Sequence, residues 1–388
     1  MQRLLLLNQE SCSVDGIGDA GVCDETALVS EQMENDATDD VLKDLRTVKQ
    51  QSSRLVIRVI GWIALLALLQ ARFKIGERLI LMTQVPEMSY EQTLQNMGYR
   101  FNENGELRTI NGNTPFVFTN QADYERIGDA MTTELYGILE SSYGLTKIEV
   151  PAEVEDKCGI VINFLGFVYA SPGFQQKSTV LLIIHGSGAV RPGQWSRRLI
   201  MNENLEVGSQ FPYIRRALAN NWGVIVCSTN TDEEFSDYPR LHLCSVYEQL
   251  LRDTNVQRFF VVAHSRGGSD IAKSLPHFKK ENRFEVVCLT DSTGFEVPSC
   301  STVESIYNGT VFINWRVDKK LQKMAISNEE DNLQLCSRVH QIYAGTTEHE
   351  RSSHAAYRSI FHVLENWNEA DGLQKLLVEA AALTSVSD

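Results

Sequence analysis

The chain has 388 residues, 43% hydrophobic and 22% charged, enough to bury a sizeable core in one large domain. A net charge of -14 offers no basic field to nucleic acid, so direct nucleic-acid binding is not expected. The eight cysteines form no C-x-x-C pair, which argues against a zinc or thioredoxin-type site; no metal and no cofactor is expected.

Residues 1–83 read as a disordered acidic tail. Between positions 10 and 50 Ser, Thr, Asp and Glu abound and aromatics are few, so the stretch cannot bury enough surface to fold alone. The apolar run Val59 to Leu69 lies between Arg58 and Arg72. It falls short of the roughly 20 residues a spanning helix needs, so no membrane span is expected.

The folded domain is expected over 84–384. Tyr99-Arg100-Phe101, Asn104-Gly105 and Leu107 to Ile110 carry a hairpin signal, and Pro115 to Phe118 extends it into a small antiparallel meander. A helix is predicted from about Asp123, with Ile127, Met131, Leu135 and Leu139 on one face and Gly144 closing it. Lys147 to Pro151 and Gly159 to Tyr169 read as strands. Thr179 to Ile184 and Trp222 to Cys227 are continuous apolar runs, as strands covered on both faces require. A helix over Val246 to Arg252 precedes the strand Arg258 to Ala263. Strands at Phe284 to Leu289, Thr310 to Trp315 and His340 to Ala344 follow, then a last helix over about Ser359 to Asn366. This alternation predicts an α/β fold, a mostly parallel sheet with helices on both faces.

Ligands in such sheets sit beyond the carboxyl ends of the strands. There the sequence Ala263-His264-Ser265-Arg266-Gly267-Gly268 joins an apolar strand to an amphipathic segment from Ser269 to Leu275. Strand, sharp turn and helix around a small-x-Ser-x-Gly sequence mark a nucleophile elbow, with Ser265 as nucleophile. His185-Gly186-Ser187-Gly188 follows another strand and can aim backbone N–H groups of Gly186 and Ser187 at a developing oxyanion, with the N–H of Arg266 as partner. No Lys-Ser/Thr pair follows that loop, which excludes a Walker site.

A serine hydroxyl needs a base. His349 lies after the last strand, in the order Ser, acid, His of α/β-hydrolases. His354 is a weaker alternative, His362 falls in a helix, and His264 is expected to be structural. Asp291 and Asp318 both follow strands and both are candidates for the acid; the later position favours Asp318.

The stretch His185 to Ile200, with Gly193-Gln194-Trp195-Ser196-Arg197-Arg198 at its centre, resembles the Arb2 (argonaute-binding protein two) domain, and most closely the animal cotranscriptional-regulator branch. Phe101 to Arg108, Val262 to Ser265, Leu289 to Ser292, Asn314-Trp315 and Ala344-Gly345-Thr346 with Glu348-His349-Glu350 match in order. The resemblance spans about residue 86 to the last helix. It implies an α/β-hydrolase-like fold and an adaptor in small-RNA silencing, chromatin or splicing regulation. The implied partners are argonaute and chromatin-associated proteins, in nucleus and cytoplasm. Its alternative implication is an active serine hydrolase of an ester, thioester or amide, with Asp291 as the acid. Arg266 stands where the family usually has tyrosine and is expected to place a cation beside the oxyanion hole. Thr231 to Tyr238 replaces a long charged insertion of the animal branch.

Overall fold

The structure, a computed structural model, describes residues 93–155, 161–231, 237–278, 281–292, 309–321, 339–367 and 372–384. The acidic tail and the run Val59 to Leu69 lie outside these residues, as does most of Thr231 to Tyr238. No helix among the described residues is long and apolar enough to cross a membrane.

Strands β1 (Tyr99–Phe101) and β2 (Leu107–Thr109) pair antiparallel around the Asn104-Gly105 turn, where Gly105 has φ 71°. Pro115 to Phe118 does not form the expected third strand. Pro115 makes one isolated bridge to Arg108, and proline has no N–H with which to extend a ladder. Helix α1 (Gln121–Ser141) starts earlier than its apolar spacing implies, because the Asn120 side chain accepts the N–H of Asp123 and caps it.

The main sheet contains β3 (Thr146–Glu155), β4 (Val161–Ala170), β5 (Thr179–Ile184), β6 (Gly223–Cys227), β7 (Arg258–His264), β8 (Phe284–Thr290), β9 (Val311–Arg316) and β10 (Val339–Tyr343). Its order is β10-β9-β8-β7-β5-β6-β4-β3. Every pairing from β6 through β10 is parallel, while β4 runs antiparallel to both β3 and β6. The result is an α/β-hydrolase-like, mostly parallel sheet.

Successive residues of β5 feed opposite cores, which is why the run has no polar alternation. Leu181 and Ile183 pack with α1, α4 (Phe211–Ala219), α7 (Ser352–Glu365) and α8 (Leu373–Ala382). Val180, Leu182 and Ile184 pack with α5 (Tyr238–Val246) and α6 (Arg266–Ser274). Two short helices, α2 (Arg197–Asn202) and α3 (Leu205–Gly208), fill the crossover after β5.

Several sequence expectations are corrected. The helix expected at Val246 to Arg252 is α5 followed by a π-turn, Tyr247–Leu251. Pro239 sits in the first turn of α5, where a missing N–H costs nothing. Helix α7 begins at Ser352, not near Ser359, and it is not the last helix, because α8 follows.

Candidate active site

The site is assembled where β7 meets α6. Ser265 has φ 53° and ψ -123°, a conformation that bulky backbones avoid and that the surroundings impose. Two glycines allow it. A Cβ on Gly267 would lie 2.5 Å from the carbonyl oxygen of His185, and one on Gly268 would lie 2.2 Å from Ser292 Oγ. The helix therefore approaches the strand ends closely. The Ser265 N–H donates to Thr290 O at 3.0 Å, and Ser292 Oγ donates to Ser265 O at 2.6 Å.

His349 opens a 3-10 turn, His349–Arg351, just before α7. Its Nε2 lies 3.0 Å from Ser265 Oγ and its Nδ1 lies 2.6 Å from Asp291 Oδ2. The carboxylate fixes the tautomer. Nδ1 carries the proton toward Asp291, and Nε2 is left to accept from the serine hydroxyl.

Asp291 follows β8 with φ 47° and is 5% exposed. Burial is the largest influence on its carboxyl and pushes the pKa up. The His349 hydrogen bond, the Val317 N–H at 3.3 Å and the Arg316 guanidinium at 3.1 Å together outweigh burial and hold it below the usual value. The position-favoured Asp318 is not the carboxylate bonded to His349 Nδ1; its Oδ1 accepts the N–H of Lys320 in a local turn. His354 Nδ1 donates to Glu206 O, and His362 pairs with Glu379.

Beneath His349 lies His264, ring centroids 4.8 Å apart, and Trp195 meets His264 edge-on at 6.2 Å. Burial, aided by the neighbouring His349, pushes His264 down to about 3. A neutral His264 places no positive charge against His349.

The Gly186 loop packs directly on the elbow. A Cβ at Gly186 would lie 3.2 Å from Ser265 Cβ. Asn230, after β6, organises the loop: its Nδ2 reaches the carbonyls of Gly186 (2.9 Å), Gly188 (3.0 Å) and Val190 (3.1 Å). His185 accepts the Thr229 N–H on Nε2 at 3.3 Å, so Nδ1 donates to Gly186 O at 2.9 Å. Burial holds that imidazole neutral, at about 4. The Arg266 N–H, first in its helix, has no intrahelical acceptor.

The Arg266 side chain, expected from the resemblance as a cation near the oxyanion hole, is paired on two sides. Its Nη2 donates to Asn230 Oδ1 at 2.5 Å and its Nε to Asp270 Oδ2 at 3.2 Å. Burial raises Asp270 to about 6 against the pull of Arg266. Sequence reasoning missed Asn230 altogether. The polar run Ser228-Thr229-Asn230 at the end of an apolar strand was the signal that could have found it. Among the described residues no cluster of His, Cys, Asp and Glu could hold a metal ion.

Residues 90–233 match the Arb2 domain model. A FAM172 family protein homolog from Caenorhabditis elegans is 36% identical over 306 residues, covering 76% of this chain and 94% of that protein. The chain belongs to the Arb2 domain family. The human Cotranscriptional regulator ARB2A is 36% identical over 169 residues, 41% of this chain and 39% of its own length. The mouse protein of that name is 27% identical over 363 residues, covering 74% and 83%. A Pyrococcus furiosus esterase overlaps at TM-score 0.36 and 11% identity, over 59% of this chain and 94% of its own. An overlap that low adds nothing to the fold read from the strand order.

Proposed function

We propose that this Arb2 domain is a serine hydrolase of an ester, thioester or amide. The observation that carries the reading is the continuous relay from Ser265 Oγ through His349 to Asp291, at 3.0 and 2.6 Å. In this scheme Ser265 Oγ attacks the substrate carbonyl while His349 Nε2 takes its proton. Asp291 stabilises the imidazolium through Nδ1–H. The N–H of Arg266 and those of the Gly186-Ser187 loop receive the charge on the former carbonyl oxygen. His349 then returns the proton to the leaving group, and water releases the acyl-enzyme by the reverse path.

The test is labelling by a fluorophosphonate probe, which needs an activated serine. Wild-type protein should label and Ser265→Ala should not, with little change in melting. Equal labelling of both would remove Ser265 from the role, and no labelling of either would remove the hydrolase reading.

A second reading is favoured by the cotranscriptional-regulator names of the relatives. In it the chain is an adaptor in small-RNA silencing, chromatin or splicing, acting in nucleus and cytoplasm through argonaute or chromatin-associated proteins. Partner capture that survives Ser265→Ala while labelling is lost would show the two roles to be separable. The same proposal places the folded domain at residues 84–384. Limited proteolysis to a stable fragment beginning near residue 84 would support it.

A further inference from the structure

We infer that Arg198 and Glu350, with Arg351 and Glu203, form a charged latch that positions His349 against Ser265. This rests on the hydrolase reading for its kinetic consequence, though not for its geometry.

The motif Gln194 to Arg198 contains no group that touches Ser265, yet it is the most distinctive stretch of the chain. Its two arginines point to different bodies. Arg197 is buried; its Nη2 donates to Asp129 Oδ1 in α1 and to Ala189 O, both at 3.0 Å. A Cβ on Gly128 would lie 2.6 Å from its guanidinium, so α1 leaves room for it. Arg198 turns the other way. Its Nε donates to Glu350 Oε2 at 2.6 Å, and Ser196 Oγ donates to the same oxygen at 2.9 Å. Arg351 donates to Glu203 through Nη1 at 2.9 Å and also through Nη2.

Glu350 and Arg351 are the two residues after His349. The turn that carries the base is thus tied at two points to the α2 segment, and through Arg197 to α1. The tie matters because little else confines the base from its open side: the His349 side chain is 48% exposed. A small displacement of a reacting group costs rate steeply.

Arg198 and Glu350 are 51% and 40% exposed, so solvent screens their attraction. An exposed pair contributes up to about 1 kcal/mol, or roughly fivefold in rate if all of it is spent on placing His349.

The experiment uses the full chain. Fluorophosphonate labelling of Ser265 is measured against pH, and the Nδ1 proton shared by His349 and Asp291 is followed as a low-field proton resonance. Glu350→Gln and Arg198→Glu should each slow labelling about fivefold at unchanged melting temperature. Each should broaden the low-field proton by admitting exchange. The charge-swapped pair Arg198→Glu with Glu350→Arg should restore both readouts. Added salt should slow wild-type labelling more than that of Glu350→Gln, in which only the Arg351–Glu203 tie remains to be screened.

Single variants with wild-type labelling and a sharp low-field proton would overturn the latch. So would losses that follow falling melting temperature and are not rescued by the swap. If wild-type protein fails to label, the hydrolase reading falls. The latch then stands or falls on whether Glu350→Gln broadens the proton and the swap sharpens it.

Discussion

The two halves of the site are held by different physics. On the elbow side Ser265 is fixed by contact. Gly267 and Gly268 lie against backbone and Ser292, Ser265 is bonded through its own N–H and C=O, and His185 and His264 are buried. On the base side His349 rides a half-exposed turn secured by ion pairs to α2 and by one carboxylate. Close packing is insensitive to salt and intolerant of added atoms. Charge pairing tolerates changes of shape and responds to ionic strength. Ser265 is therefore preorganised by the fold, while His349 is the adjustable member.

The largest expected effect comes from breaking the join between the halves. Asp291→Asn keeps the shape and removes the charge that sets the imidazole tautomer. Labelling of Ser265 should fall by about 10²–10⁴-fold with the fold intact, measured as the second-order labelling rate. A loss under threefold would mean that Asp291 does not orient the base.

Trp195 underlies both halves, packed on Tyr213 at 5.3 Å and on His264. It is 2% exposed, so Trp195→Ala should cost about 3–5 kcal/mol in chemical denaturation. A stable variant that had lost only partner binding would recast Trp195 as an interface anchor.

Acid should break the elbow side first. His185 at about 4 and His264 at about 3 are held neutral by burial, as is His242 in α5 at about 3, whereas unfolded histidine titrates near 6.5. Between those values the unfolded chain binds more protons, so stability falls as pH drops from about 6.5 toward 4. Asp270, raised to about 6, acts oppositely, since its folded form holds the proton more tightly than the unfolded one. His340 and His354, also lowered by burial, act in the same direction as the three histidines, so the net effect is a loss of stability on acidification that Asp270 only partly offsets. Melting temperature across pH 4–7 measures it; a flat profile would show that these imidazoles are hydrated.

The smallest of these effects tests the packing directly. Gly267→Ala drives a methyl onto the His185 carbonyl, with Ile184 O only 3.1 Å away, and should cost about 1–3 kcal/mol. Labelling should drop with it, and salt should change neither. A neutral outcome would mean that the elbow yields as readily as the base turn.

Much was legible in the sequence where one local rule dominates. Strand β5 has the limits that its apolar run implies, because a strand covered on both faces has no polar position to blur its ends. The strand-turn-helix around Ser265 follows from small residues at 263, 267 and 268. The order of Ser265, Asp291 and His349 was likewise visible. The start of α7 was not. Its first residues, Ser352 and Ser353, look like a loop; Ser353 is satisfied at long range, its Oγ meeting Thr290 Oγ1 at 2.7 Å and its carbonyl accepting from Tyr213 Oη.

What tertiary structure alone decided is which distant groups meet. Asp291 and Asp318 both follow strands; position in the chain favours Asp318, and only family resemblance favours Asp291. The sheet order puts β8 beside β7 and β9 one strand further out, so the carboxylate after β8 is the one that reaches the imidazole. The same holds for Arg266, whose charge was plain but whose direction depends on Asn230, 36 positions away. Composition and spacing determine which segments are buried and where a chain must turn. The direction of a long polar side chain depends on partners brought near by folding, and no window of sequence contains them.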